Sequence, residues 1–160
     1  MTQGTTPADD AGPHLPAIPA RHRLYLIDTS AQARICHPGI REIIVALIAD
    51  RVAATCVTVD LEVGFSGRCH EDVRGIAERR RELYQVLPIT ETIADRAREV
   101  QIRLAKRGTH RAAGLVDLLT AAVAEHHDAV LLHYDEEFER IAAVTGQSQA
   151  WIAPPGSLDH

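Results

Sequence analysis

The sequence predicts an α/β domain with a mostly parallel central sheet, on three observations. Short apolar runs recur at 24–27, 84–87 and 129–132, each stopped by a polar residue or a proline. Longer segments with apolar residues at helical spacing lie between them. Strands that alternate with helices are joined by crossover connections, which lay the strands side by side in parallel.

The elements follow in order. Residues 1–20, MTQGTTPADDAGPHLPAIPA, are polar and rich in Pro and Gly. They show no basic-then-apolar signal pattern and read as a disordered leader. The folded domain is expected over 21–155, with a short tail at 156–160. Leu24-Tyr25-Leu26-Ile27 reads as a buried strand, ended by a polar loop at Asp28-Thr29-Ser30. After Pro38-Gly39, residues 40–49 carry Ile43, Ile44, Leu47 and Ile48 as a helical stripe. Val52-Ala53-Ala54 reads as a short buried strand, and Thr55 as the N-cap of a helix over Val57 to Phe65. Leu61 and Phe65 fall on one face of that helix, with Glu62 mid-helix among apolar neighbours and Gly64 and Gly67 ending it.

Glu71 to Leu83 is a charged amphipathic helix, and Tyr84 to Leu87 a strand stopped by Pro88. The helix at 91–107 aligns Ile93, Ala97, Val100 and Leu104 and stops at Gly108. Leu115 to His126 is apolar almost all round and should be buried, with Asp117 in its first turn. Ala129 to Leu132 is the clearest strand and runs into His133-Tyr134-Asp135. Glu136 to Val144 is a last helix closed by Gly146, and Trp151-Ile152 reads as an edge strand.

Composition narrows the classes of function. The chain has 160 residues, enough for one domain with a core, and 46% of them are hydrophobic. No apolar run approaches the roughly 20 residues that span a bilayer, so no membrane partner is expected and a cytoplasmic location is the default. Cys36, Cys56 and Cys69 make an odd set without a CxxC, which argues against a disulfide framework. Cys69-His70 with His126-His127 fits no standard zinc spacing. The net charge of −5 is the wrong sign for a protein that coats nucleic acid. Residues 68–111, however, hold 11 basic against 7 acidic residues, a local +4 that leaves −9 on the remainder. That asymmetry suits either a phosphate-bearing partner or a solvated helix face laced with ion pairs.

Two strands, 24–27 and 129–132, each end near an Asp. Sites in open α/β sheets form at the carboxyl ends of strands, so Asp28 and Asp135 are expected at one sheet edge. Singly, each also reads as a turn or helix-cap residue. Glu62 and Asp117 lie on helices rich in apolar residues, where an unpartnered carboxylate is costly. Salt bridges to Arg would answer that cost, and so would a shared cation. Four acids at element ends suit Mg²⁺ or Mn²⁺, which prefer carboxylate oxygens. Such a site can activate water and neutralise charge on a phosphate. There is no GxSxG, no Walker loop and no GxGxxG. A receiver-like signalling domain would need a strand-end Lys, and the one lysine, Lys106, reads as a helix end. An Asp-x-Asp phosphatase would need an acid at position 30, which is Ser.

Four blocks around these acids resemble a PIN domain, and specifically the VapC-type toxins of bacterial toxin–antitoxin pairs. They are Tyr-Leu-Ile-Asp-Thr-Ser at 25–30, Val-Asp-Leu-Glu-Val-Gly-Phe-Ser at 59–66, His-Arg-Ala-Ala-Gly-Leu-Val-Asp-Leu-Leu-Thr-Ala-Ala at 110–122, and Leu-His-Tyr-Asp-Glu-Glu-Phe-Glu-Arg-Ile-Ala-Ala-Val-Thr-Gly-Gln at 132–147. The resemblance runs from about Leu24 to Pro155. It implies a three-layer α/β/α PIN-like fold and Mg²⁺- or Mn²⁺-dependent endoribonuclease activity. It also implies a homodimer inhibited by a VapB-type antitoxin. Asp28, Asp117 and Asp135 are the expected metal ligands, with Glu62 completing the cluster or orienting the attacking water. Thr29, Ser30 and Glu136 are expected in support, and Arg79, Arg80 and Arg111 on the RNA backbone. Two alternatives remain: a PIN-like binding module without catalysis, and a PIN-like DNA nuclease.

Overall fold

The structure, a computed structural model, describes residues 23–158. The leader expected at 1–20 lies outside the described residues. Five strands form one sheet: β1 (Tyr25–Ile27), β2 (Ala53–Cys56), β3 (Gln85–Leu87), β4 (Val130–His133) and β5 (Gln149–Trp151). Their order is β3-β2-β1-β4-β5, and every pairing is parallel. The helices among the described residues are α1 (Thr29–Gln32), α2 (Pro38–Ala49), α3 (Val57–Gly64), α4 (His70–Leu83), α5 (Glu91–Lys106), α6 (Leu115–His126) and α7 (Glu137–Thr145), with a 3-10 turn at His110–Ala112.

Strand composition explains the layering. β1, β2 and β4 are buried at every residue, because helices cover both sheet faces. Leu26, Ala54, Cys56 and Leu131 point to a core shared with Val59 of α3, α5, α6 and α7. Tyr25, Ile27, Ala53, Val130 and Leu132 point to the other core, closed by Ile40, Ile44 and Leu47 of α2 and by Ile152. The α/β/α sandwich is therefore the expected one. A fully buried Leu such as Leu131 contributes about 1.5–3 kcal/mol, and cutting it to Ala should cost about 2–5 kcal/mol.

The strand order creates a switch point. From β1 the chain moves outward through β2 to β3, then returns to the opposite side of β1 for β4 and β5. The carboxyl ends of β1 and β4 flank the crevice where this reversal occurs, the usual seat of a site in an open α/β sheet.

Local differences from the sequence expectations have physical reasons. Asp28-Thr29-Ser30 is a helix start rather than a loop: Asp28 is the N-cap of α1 and accepts the Ser30 N–H at 2.8 Å. Thr55 belongs to β2, because pairing with β3 continues to Cys56 opposite Leu87. Cys56 therefore takes the N-cap position of α3. The Leu61 and Phe65 face of α3 is exposed, at 69% and 92%.

Candidate active site

Asp28 leaves β1 at the sheet edge and is 3% exposed. Its Oδ2 accepts the Ser30 N–H at 2.8 Å and the Ser30 hydroxyl at 2.6 Å. Ser30 Oγ in turn accepts the Tyr134 N–H at 3.0 Å, stitching the ends of β1 and β4 together. Asp28 Oδ1 is buried and has no hydrogen-bond partner among the described residues. A buried carboxylate oxygen without a donor is costly, which is why it suggests a ligand atom.

Asp135 follows β4, and its Oδ1 accepts the Glu137 N–H at 2.9 Å. Its own N–H donates to His133 Nδ1 at 3.2 Å. His133 is fully buried, and burial pushes its pKa down, so the ring is held neutral with Nδ1 as acceptor. Its Nε2 faces Gln149 Oε1. This ring anchors the backbone that presents Asp135.

Asp117 lies in the first turn of α6, half-buried. Burial raises its pKa to about 7, aided by a hydrogen bond to Glu137 and by the charges of Asp28, Glu137 and Asp135. Every charge in that set is a carboxylate. The site therefore gathers Asp28, Asp117 and Asp135, and Glu137 joins them. Glu137 Oε2 also accepts the Gly114 N–H at 2.6 Å. Gly114 is needed for space: a Cβ there would stand 2.4 Å from Asp117 Oδ2.

Glu62 is exposed on α3, contrary to the expected buried position. Its Oε2 accepts the Thr29 hydroxyl at 2.7 Å, which ties it to the turn after Asp28. Glu136 does not turn inward. It is exposed and pairs with Arg140 at 3.4 Å, because Phe138 and Ile141 set the phase of α7 and put Glu137 on the inner side. Glu137 is the acid that the sequence reading missed. The signal was available, since Glu137 stands one turn before the core residue Ile141.

Arg79 and Arg111 are exposed, but Arg80 is 6% exposed. Its guanidinium binds Asp60, Gln32 and Thr55, so it is not available to an RNA backbone as expected from sequence. The zinc pattern is dispersed. Cys69 is exposed ahead of α4, while His127 meets the Pro88 carbonyl at the end of α6.

Among the described residues, no three His, Cys, Asp or Glu side chains already stand in coordination geometry. Asp117 is instead hydrogen-bonded to Glu137, one of the causes that raise the Asp117 pKa. The donor chemistry nevertheless fits a hard divalent cation: all oxygen, carboxylate-rich, with the Asp28 oxygen unsatisfied. Beside the acids runs an apolar groove lined by Thr29, Thr58, Leu61, Glu62, Phe65 and Val116.

Comparisons with known proteins give the family and agree on the fold. The PIN domain family model matches residues 25–144. Ribonuclease VapC21 of Mycobacterium tuberculosis is 41% identical over 133 residues, covering 83% of this chain and 96% of the relative. Ribonuclease VapC51 of the same organism is 40% identical over 136 residues, covering 84% and 97%. The chain belongs to the PIN domain family, in its VapC group. Its fold is shared by a DNA-bound VapBC from Salmonella typhimurium (TM-score 0.67, 18% identity, 82% of this chain and 99% of the other). It is shared also by VapBC-1 from nontypeable Haemophilus influenzae (TM-score 0.63, 23% identity, 81% and 98%). Among the described residues no helix is long and apolar enough to cross a membrane.

Proposed function

We propose that this chain is a Mg²⁺- or Mn²⁺-dependent endoribonuclease, the toxin of a toxin–antitoxin pair held in check by a VapB-type antitoxin. The observation that carries the reading is the convergence of Asp28, Asp117, Asp135 and Glu137 at the switch point. There Asp117 is surrounded by carboxylates and carries a pKa near 7. The relatives named as ribonucleases support RNA as the substrate.

Asp28, Asp117 and Asp135 would hold the cation, with Glu137 beside them. When bound, the cation supplies charge neutralisation at the phosphate and lowers the pKa of a coordinated water. Glu62, held by the Thr29 hydroxyl at the mouth of the cluster, orients the attacking water. Ser30 keeps Asp28 aimed through two hydrogen bonds to its Oδ2. Arg79 and Arg111 offer exposed positive charge to the RNA backbone. The apolar groove along Leu61 and Phe65 suits a segment of the antitoxin, as an exposed apolar surface beside a polar site often marks a partner. A cytoplasmic homodimer completes the proposal.

Cleavage mapping on total RNA tests it, with wild-type and Asp28→Ala protein in Mg²⁺, in Mn²⁺ and in chelator. The expected result is a defined set of cuts made by wild type with either cation and lost in Asp28→Ala. Equal cutting by both proteins would reject the site. Cation-dependent cutting of duplex DNA with RNA left intact would reject the substrate.

A further inference from the structure

We propose that Arg80 is a positioning residue for the acidic centre, fixing α1 and α3 relative to one another through a single guanidinium. The proposal rests on the nuclease reading for its kinetic consequence, but its geometry stands by itself.

Arg80 reaches from α4 into the protein and uses each nitrogen on a different element. Nε donates to Asp60 Oδ1 of α3 at 2.6 Å. Nη1 donates to Gln32 Oε1 of α1 at 2.6 Å, and Nη2 to Thr55 Oγ1 of β2 at 2.6 Å. The Thr55 hydroxyl donates a hydrogen bond to Asp60 Oδ1 at 2.8 Å, and the Tyr84 ring lies under the guanidinium, 4.7 Å from centroid to Cζ. A buried cation is tolerated only when partnered, and each of the three guanidinium nitrogens is.

The Gln32 arm leads to the site. Gln32 Nε2 donates to the carbonyl of Ile27, the residue before Asp28, at 2.7 Å. The Asp60 arm leads there as well, because Asp60 and Glu62 share α3. The clamp therefore grips both backbones that bring Thr29 and Glu62 within hydrogen-bond reach. Lysine cannot replace it, since one ammonium lacks the fork that meets three acceptors at fixed angles.

A purely structural ion pair would lower stability without acting through Thr29 and Glu62, and a double-mutant cycle separates the two. Arg80→Lys and Gln32→Met are measured alone and combined with Thr29→Val, by steady-state RNA cleavage. Expected are about tenfold losses in kcat for each single variant, with KM within about twofold. Adding Arg80→Lys to Thr29→Val should then bring no further loss. Wild-type kcat in both Arg80→Lys and Gln32→Met overturns the proposal, as do losses that multiply in the double variants.

Hydrogen exchange gives a reading without substrate. The Gln32 and Ala33 amides, which bond to the Asp28 and Thr29 carbonyls, should exchange faster in both clamp variants. Amides of β4 serve as the internal reference. Unchanged exchange at Gln32 and Ala33 overturns the clamp whether or not the protein cuts RNA. A wild-type protein without ribonuclease activity overturns the function reading alone, and the clamp is then judged on exchange.

Discussion

The carboxyl groups of Asp117 and Glu137 are hydrogen-bonded to one another across Gly114, whose N–H donates to Glu137 Oε2 at 2.6 Å. Two acids from different helices meet where a side chain at position 114 would collide with Asp117. The site is thus arranged to keep negative charge close together at a cost in stability.

That cost predicts how stability depends on pH. Unfolded, the Asp117 carboxyl ionises near 3.8; folded, it ionises near 7. Between those values the folded chain holds the extra proton, so stability of metal-free protein falls as pH rises through this window. The penalty is complete above about pH 7. Asp117→Asn removes it. The variant should melt about 2–4 °C higher than wild type at pH 8 and show a flatter slope across the window, while losing cleavage. A melting temperature lowered by Asp117→Asn would contradict this.

The phase of α7 predicts unequal roles for neighbouring acids. Glu137→Gln should reduce cleavage about 10–100-fold, the usual cost of disturbing a group beside a ligand set. Glu136→Gln should leave it within about twofold, since Glu136 is exposed and pairs with Arg140 at 3.4 Å, away from the cluster. Parallel cleavage assays of the two variants settle the order, and a larger loss from Glu136→Gln would refute it.

Exposed arginines predict a salt signature. Arg79→Gln and Arg111→Gln should each weaken RNA binding and lower the slope of log affinity against log salt by about 0.7, the value for one single-strand phosphate contact. Filter binding across salt concentrations measures it. An unchanged slope in both would remove these residues from the RNA path.

Much of the fold was legible in the sequence because its strands are buried on both faces and read as continuous apolar runs. Asp28 and Asp135 could be placed because they stop such runs, and Asp117 because a charge in the first turn of an apolar helix stands out. Glu137 was harder, since three acids in a row carry no phase until Phe138 and Ile141 are assigned to the core. Arg80 was harder still. Nothing within Arg79-Arg80-Arg81 distinguishes the middle residue; Asp60, 20 positions away, draws it inward. Glu62 shows the converse error. Apolar neighbours suggested burial, yet Leu61 and Phe65 are themselves exposed on the rim of a groove.

As proposed, these acids form a divalent-cation site for RNA cleavage. A Mn²⁺ titration followed on one protein sample by RNA cleavage and by melting temperature tests it most directly. Binding to the folded state alone should raise stability by about 2.7 kcal/mol at 100 times the dissociation constant. Cleavage and melting temperature should rise together, with a midpoint that tightens as pH passes about 7 and Asp117 gives up its proton. Both responses should vanish in Asp28→Ala. Cleavage that persists in chelator, or a Mn²⁺-induced stabilisation that survives Asp28→Ala, would contradict it.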